Sequence, residues 1–173
     1  MEYRRTSAIC AIVALLVGFG AHSARADDGN KQSVTVSFGA GLNTAQPGNS
    51  ANHHILPPTI KVKTGGVVNF VVAGFHWIFV YQPGVRAEDI VVPASGTFVN
   101  DPVHPLYYMG LSPAGAAPAG FSNTQNRVES VSFSEPGTYL VICNVRGHFL
   151  DGMFAYIKVT SDDDDDHGDH GDH

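Results

Sequence analysis

Residues 138–160 read TYLVICNVRGHFLDGMFAYIKVT, and this stretch decides the fold. Two runs rich in β-branched and aromatic residues, Thr138 to Cys143 and Met153 to Thr160, have the length and composition of strands. The nine residues between them, Asn144 to Gly152, read as the loop joining those strands. Such a loop brings its two ends together, so Cys143 and Met153 can face a common point while His148 reaches in from the crown.

The same strand rhythm extends outward. Val34, Val36 and Phe38 alternate with Thr35 and Ser37, and Val131 and Phe133 alternate with Ser130, Ser132 and Ser134. Further β-rich runs lie at Thr59 to Lys63, Val67 to Ala73, Trp77 to Tyr81 and Ile90 to Val92, with turn chemistry at Thr64-Gly65-Gly66, Gln82-Pro83-Gly84 and Glu135-Pro136-Gly137. Seven or eight short strands broken in this way predict an all-β chain folded as a β-sandwich. No amphipathic helix of three turns and no internal repeat accompanies them. Two stretches fall outside the rhythm: Asn43 to Pro58, a polar connection, and Pro93 to Asn126, a long insertion rich in Ala, Gly and Pro around Tyr107, Tyr108 and Met109. Loops of that length in a compact domain are commonly functional, and the second is expected to shield one end of the sandwich.

Composition bounds the rest. The chain has 173 residues, 43% of them hydrophobic, and 10 basic against 16 acidic residues, a formal charge of −6. No basic stripe suited to nucleic acid is present. Residues 1–26 read as a secretory signal, with Arg4 and Arg5 at the start, an apolar run from Ala8 to Phe19, and Ala24-Arg25-Ala26 as the cleavage site. That run is too short for a membrane span, so the mature protein is expected to be exported or periplasmic, without an integral membrane segment. Arg4-Arg5 leaves both the general and the twin-arginine export routes open. Cys10 leaves with the signal, and Cys143 remains as a lone thiol in an oxidising compartment, where it requires another explanation than a disulfide. The domain is expected to occupy residues 27–161. Residues 162–173, DDDDDHGDHGDH, carry 7 Asp and 3 His and are expected to form a disordered tail. That tail reads either as a solvating acidic segment or as a weak additional divalent-metal binder through His167, His170 and His173.

Cys143, His148 and Met153 stand at Cys-x4-His-x4-Met. Thiolate, imidazole and thioether together make a soft site that favours copper, above all a trigonal His2Cys arrangement with a long axial Met. A second imidazole is then required, and His76, at the start of the Trp77 to Tyr81 strand, is the candidate. Taken singly, a cysteine is a small buried hydrophobe, a methionine a gap filler and a histidine a satisfied polar residue; their order and flanking strands carry the metal reading. Zinc is the weaker alternative, because structural zinc favours several Cys or His ligands without a thioether. His53, His54 and His104 read as surface residues, and Met109 and the tyrosines near it as loop packing. Phe75, Trp77, Phe149 and Leu150 are expected to form an apolar rim.

These residues resemble the cupredoxins, the small blue-copper proteins of the plastocyanin and azurin class. The resemblance runs from about Thr59 to Thr160 and rests on Pro57-Pro58-Thr59-Ile60-Lys61-Val62, His76, Phe133-Ser134-Glu135-Pro136-Gly137-Thr138-Tyr139, Cys143, His148 and Met153. The ligand-loop spacing is similar to that of rusticyanin. The resemblance implies a Greek-key β-sandwich holding one copper ion in a type 1-like site, with one-electron transfer to a transient redox-protein partner. A monomer without enzymatic activity of its own is expected. The alternative, favoured by the tail, is copper storage, buffering or delivery. Two departures stand out: Trp77 follows the first histidine and Asn144 follows the cysteine, where the family commonly carries Asn and then Ser or Thr to tie the ligand loops together. Asn144 is expected to supply that tie from the opposite side.

Overall fold

A computed structural model describes residues 32–40, 52–113 and 126–161. The expected signal, residues 1–26, and tail, residues 162–173, lie outside the described residues. Alternation decides the strands: β1 (Ser33–Gly39), β4 (Val67–Ala73) and β7 (Asn126–Ser132) each bury every second residue or nearly so. With the two-residue β2 (Ile55–Leu56) they form a sheet ordered β2-β1-β4-β7. The second sheet is ordered β3-β9-β8-β5-β6, from β3 (Thr59–Lys63), β9 (Phe154–Thr160), β8 (Gly137–Cys143), β5 (Ile78–Tyr81) and β6 (Leu106–Met109). The expected β-sandwich is present. Both sheets are mixed: β1 runs parallel to β4, and β3 parallel to β9, while the remaining pairs are antiparallel.

The main core lies between the sheets. Val36, Phe38, Val68 and Phe70 from one sheet meet Ile60, Val80, Val141 and Ile157 from the other, all at most 1% exposed. Burying each such side chain contributes roughly 1.5–3 kcal/mol, which makes this interface the chief source of stability.

A second core covers the outer face of the five-stranded sheet. Phe79, Tyr81, Leu140 and Ile142, which alternate with the inner-facing residues of β5 and β8, are roofed by Ile90 and Val99, with Phe149 in the same cluster. Ile90 to Val92 is therefore not a strand; it follows a short 3-10 turn at Ala87–Asp89 and places Ile90 downward as a lid. Its β-branched composition suits a half-buried surface whether or not backbone pairing occurs. Within the Pro93 to Asn126 insertion, Val99 covers the outer face of the five-stranded sheet, while Phe98 bridges to Val145 just after β8. The insertion also contains β6, which the Gly- and Pro-rich surroundings concealed. Tyr107 packs as expected, stacked on Phe133 at 5.2 Å, but Met109 is 60% exposed.

Candidate metal centre

Three chain segments converge at one end of the sandwich. Ile78 pairs with Cys143 across β5 and β8, so His76, two residues before β5, lies at the same end of the sheet as Cys143, the last residue of β8. The Asn144 N–H donates to the Trp77 carbonyl (2.7 Å), and the Cys143 N–H donates to the Met153 carbonyl (3.0 Å). The ligand loop is not wholly irregular. Arg146–Leu150 forms a short helical turn, α1, closed by the Phe149 N–H to Val145 carbonyl bond, and it carries His148. The Met153 N–H then donates to the His148 carbonyl (3.0 Å).

The structure brings His76, Cys143 and His148 together. Cys143 Sγ stands 3.6 Å from Nδ1 of His76 and 3.6 Å from Nδ1 of His148, and the two nitrogens are 3.0 Å apart. The centre of that triangle lies about 2.0 Å from each atom, the length of a metal–imidazole bond. Cys143 is fully buried, His76 is 3% exposed and His148 is half-buried. Met153 is fully buried in the same core cluster as Cys143.

The electrostatics suit a cation. Burial depresses His76 to about 3, helped by the neighbouring His148 and His53 rings and by Arg127. Burial also lowers His148 to about 4, with His53 adding to the effect. Both imidazoles are thus neutral near pH 7 and have lone pairs to offer. Burial pushes the Cys143 thiol up to about 11, against backbone hydrogen bonds from Trp77 and Val145 and the charge of Arg127. The buried sulfur thus gains most from a bound cation, which stabilises the thiolate in place of a proton.

Glycine is needed behind the first ring. Gly39 has φ +78°, and a Cβ there would run into the His76 imidazole at Nε2 and Cδ2. Only a residue without a side chain lets β1 pass so close to the ring.

Several neighbours were not legible in the sequence. His53, read as a surface residue, stacks on His148 with centroids 3.8 Å apart and an interplanar angle of 24°, and its Nδ1 lies 2.5 Å from Oδ2 of Asp151. His104 is likewise held, 2.6 Å from Asp101, whereas His54 is exposed as expected. Of the expected rim, Phe75 and Leu150 are exposed, Trp77 is partly buried, and Phe149 turns instead into the second core at 8% exposure. Phe98 joins the rim from the insertion, stacked on Phe75 and edge-on to Trp77.

Asn144 makes the expected tie between ligand loops only through its backbone N–H. Its side chain faces the insertion, accepting from the Asn100 N–H and donating to Asn100 Oδ1, both at 2.8 Å. A charged pair also reaches the site: Arg127 Nη2 donates to the His76 carbonyl at 3.2 Å, and Arg127 pairs with Glu129. Parity was the available signal for this pair. Residues 127 and 129 share the inward face of their strand with Val131, so two opposite charges were aimed at the core.

No protein-family model matches the chain, and no curated protein matches it. Among solved structures it is similar to the dithionite-reduced auracyanin of the photosynthetic bacterium Roseiflexus castenholzii, at 17% identity and a TM-score of 0.44, over 75% of this chain and 97% of that one. It is also similar to rusticyanin from Thiobacillus ferrooxidans, at 17% identity and a TM-score of 0.41, over 74% of this chain and 76% of that one. Auracyanin B shares 19% identity at a TM-score of 0.40, over 75% of this chain and 88% of that one.

Proposed function

We propose that this protein is an exported single-electron carrier that would hold one copper ion through His76, Cys143, His148 and Met153. The observation that carries the reading is the Nδ1, Nδ1, Sγ triangle, whose dimensions and buried, neutral imidazoles match a small soft cation. The cupredoxin resemblance of the ligand loop and the sandwich supports the same reading. When bound, copper supplies reversible one-electron exchange between Cu(II) and Cu(I).

The chain's residues do the remainder. Cys143 would serve as the thiolate ligand, its proton released to solvent as the metal enters, and the N–H groups of Trp77 and Val145 favour that charge. His76 and His148 would provide neutral nitrogens from two different segments, which are held together by the pairing of Ile78 with Cys143 and by the Asn144 N–H to Trp77 carbonyl bond. Side chains held this way would shift little on electron transfer, which would keep reorganisation small. Burial of Cys143 and Met153 keeps water from the sulfur side, and His148, half-buried, is the most exposed of the four residues.

The domain limits that accompany this reading are residues 27–161, preceded by a signal over 1–26 and followed by the acidic segment 162–173. The partner is a redox protein engaged transiently at the end that carries His148, Phe75 and Leu150. No helix among the described residues is long and apolar enough to cross a membrane.

The test is the visible and EPR spectrum of the copper-loaded protein. A thiolate-to-copper charge-transfer band is expected in the wild type and is lost in Cys143→Ser. An unchanged spectrum in that variant would falsify the ligand assignment. Repeated redox cycling with a reduced partner distinguishes a carrier, which keeps its metal, from a storage or delivery protein, which releases it.

A further inference from the structure

We infer that the buried Arg127–Glu129 pair is a positioning and charge-setting device for the His76 side of the metal centre. The inference rests on the copper reading above.

The pair occupies core-facing positions of β7, with the Arg127 and Glu129 side chains 7% and 3% exposed. Hydrogen bonds from the pair run to His76 itself and to Tyr108 and Leu111, in and just beyond the strand that pairs with β5. Arg127 Nη2 donates to the His76 carbonyl (3.2 Å) and to the Leu111 carbonyl (2.9 Å), while its Nε donates to Glu129 Oε1. Glu129 Oε2 accepts from the Tyr108 hydroxyl (2.7 Å) and from the Leu111 N–H (3.2 Å). Gly110 closes the assembly: its N–H donates to the Ile78 carbonyl (2.8 Å), its carbonyl accepts from Trp77 Nε1 (2.7 Å), and a Cβ there would strike the Glu129 carboxylate. His76 and the two residues that follow it are thus tied to β7 through Arg127 and to the end of β6 through Gly110.

Stability alone is a poor reason to keep such a pair. Replacing a buried ion pair with apolar residues of similar volume is often neutral or stabilising, because desolvation of both charges offsets their attraction. Two consequences of this pair do not follow from apolar packing. First, the guanidinium fixes the backbone from which the His76 imidazole projects. Second, it is the member of the pair bonded to His76, and its positive charge acts on both His76 and Cys143, favouring the thiolate and the more electron-rich state of the site. Glu129 is the counter-charge that limits this bias. The two residues should therefore move the site in opposite directions: loss of Arg127 lowers the midpoint potential and loss of the Glu129 charge raises it.

The experiment compares Arg127→Gln, Arg127→Lys, Glu129→Gln and Tyr108→Phe in the full-length, copper-loaded protein. Midpoint potential, the charge-transfer band and copper hyperfine splitting are measured, with thermal unfolding of the copper-free form alongside. Expected are a lower potential in Arg127→Gln, recovery toward wild type in Arg127→Lys, a higher potential in Glu129→Gln, and little change in potential for Tyr108→Phe, which keeps both charges. Potentials and spectra equal to wild type in both charge-removing variants, or shifts of the same sign in both, overturn the inference even where melting temperatures fall. If Arg127→Gln fails to fold, the sign of the Glu129→Gln shift decides alone. A wild type without a charge-transfer band contradicts the copper reading itself, which separates the two failures.

Discussion

His76 and His148 have folded-state values of about 3 and about 4, against an ordinary value of 6.5, because burial withholds the water that an imidazolium needs. This sets the sign of the pH dependence in copper-free protein. Above 6.5 neither the folded nor the unfolded chain protonates these rings, so they leave stability unchanged. Below 6.5 the unfolded chain takes up protons that the folded chain refuses, and stability falls with pH until the folded rings protonate near 4 and 3. The melting temperature of the copper-free protein should therefore decline between pH 7.5 and 5.5, an interval above the ordinary carboxylate range. A flat or rising profile over that interval contradicts the buried, neutral assignment. His53 is the residue whose role was least visible beforehand. Nothing local distinguishes it from the adjacent exposed His54, and only the fold stacks it on His148.

The elements show where local pattern suffices and where it fails. Strands β1 and β7 show in alternation, a property of adjacent positions, and β3, β4, β8 and β9 in β-rich runs, several of them bounded by turn residues. β6 and α1 were missed, being four and five residues long and enclosed by Gly, Pro or charged neighbours. Ile90 to Val92 was read as a strand since β-branched residues suit any half-buried surface, and here the surface is the roof of the second core. One link between this roof and the ligand loop is Asn144, fully buried and doubly bonded to Asn100, which adopts φ +44°. A non-glycine residue in that region needs such partners. Asn144→Ala leaves the Asn100 N–H and amide oxygen without their partner and should cost about 2 kcal/mol. Chemical denaturation of the copper-free protein measures this directly, and a change below a few tenths of a kcal/mol would remove Asn144 from its structural role.

For the whole molecule, the formal charge of −6 divides unevenly. Residues 27–161 hold 8 acidic and 7 basic side chains, while residues 162–173 hold 7 Asp. Both cores and the three convergent side chains that could hold a metal ion lie within the first of these segments. A chain limited to residues 27–161 is therefore expected to keep the charge-transfer band and the melting temperature of the longer form. Loss of either would show that the acidic segment belongs to the folded domain. Local composition alone determined the strand-rich class, the lone Cys143 and the order of Cys143, His148 and Met153, since each depends on residues close together along the chain. The tertiary structure decided how His76 meets them across 67 positions, through the pairing of Ile78 with Cys143. It also decided that His53, Arg127 and Glu129 surround the same end. Those contacts depend on sheet register and on a roof of loop residues, and neither leaves a period in the sequence.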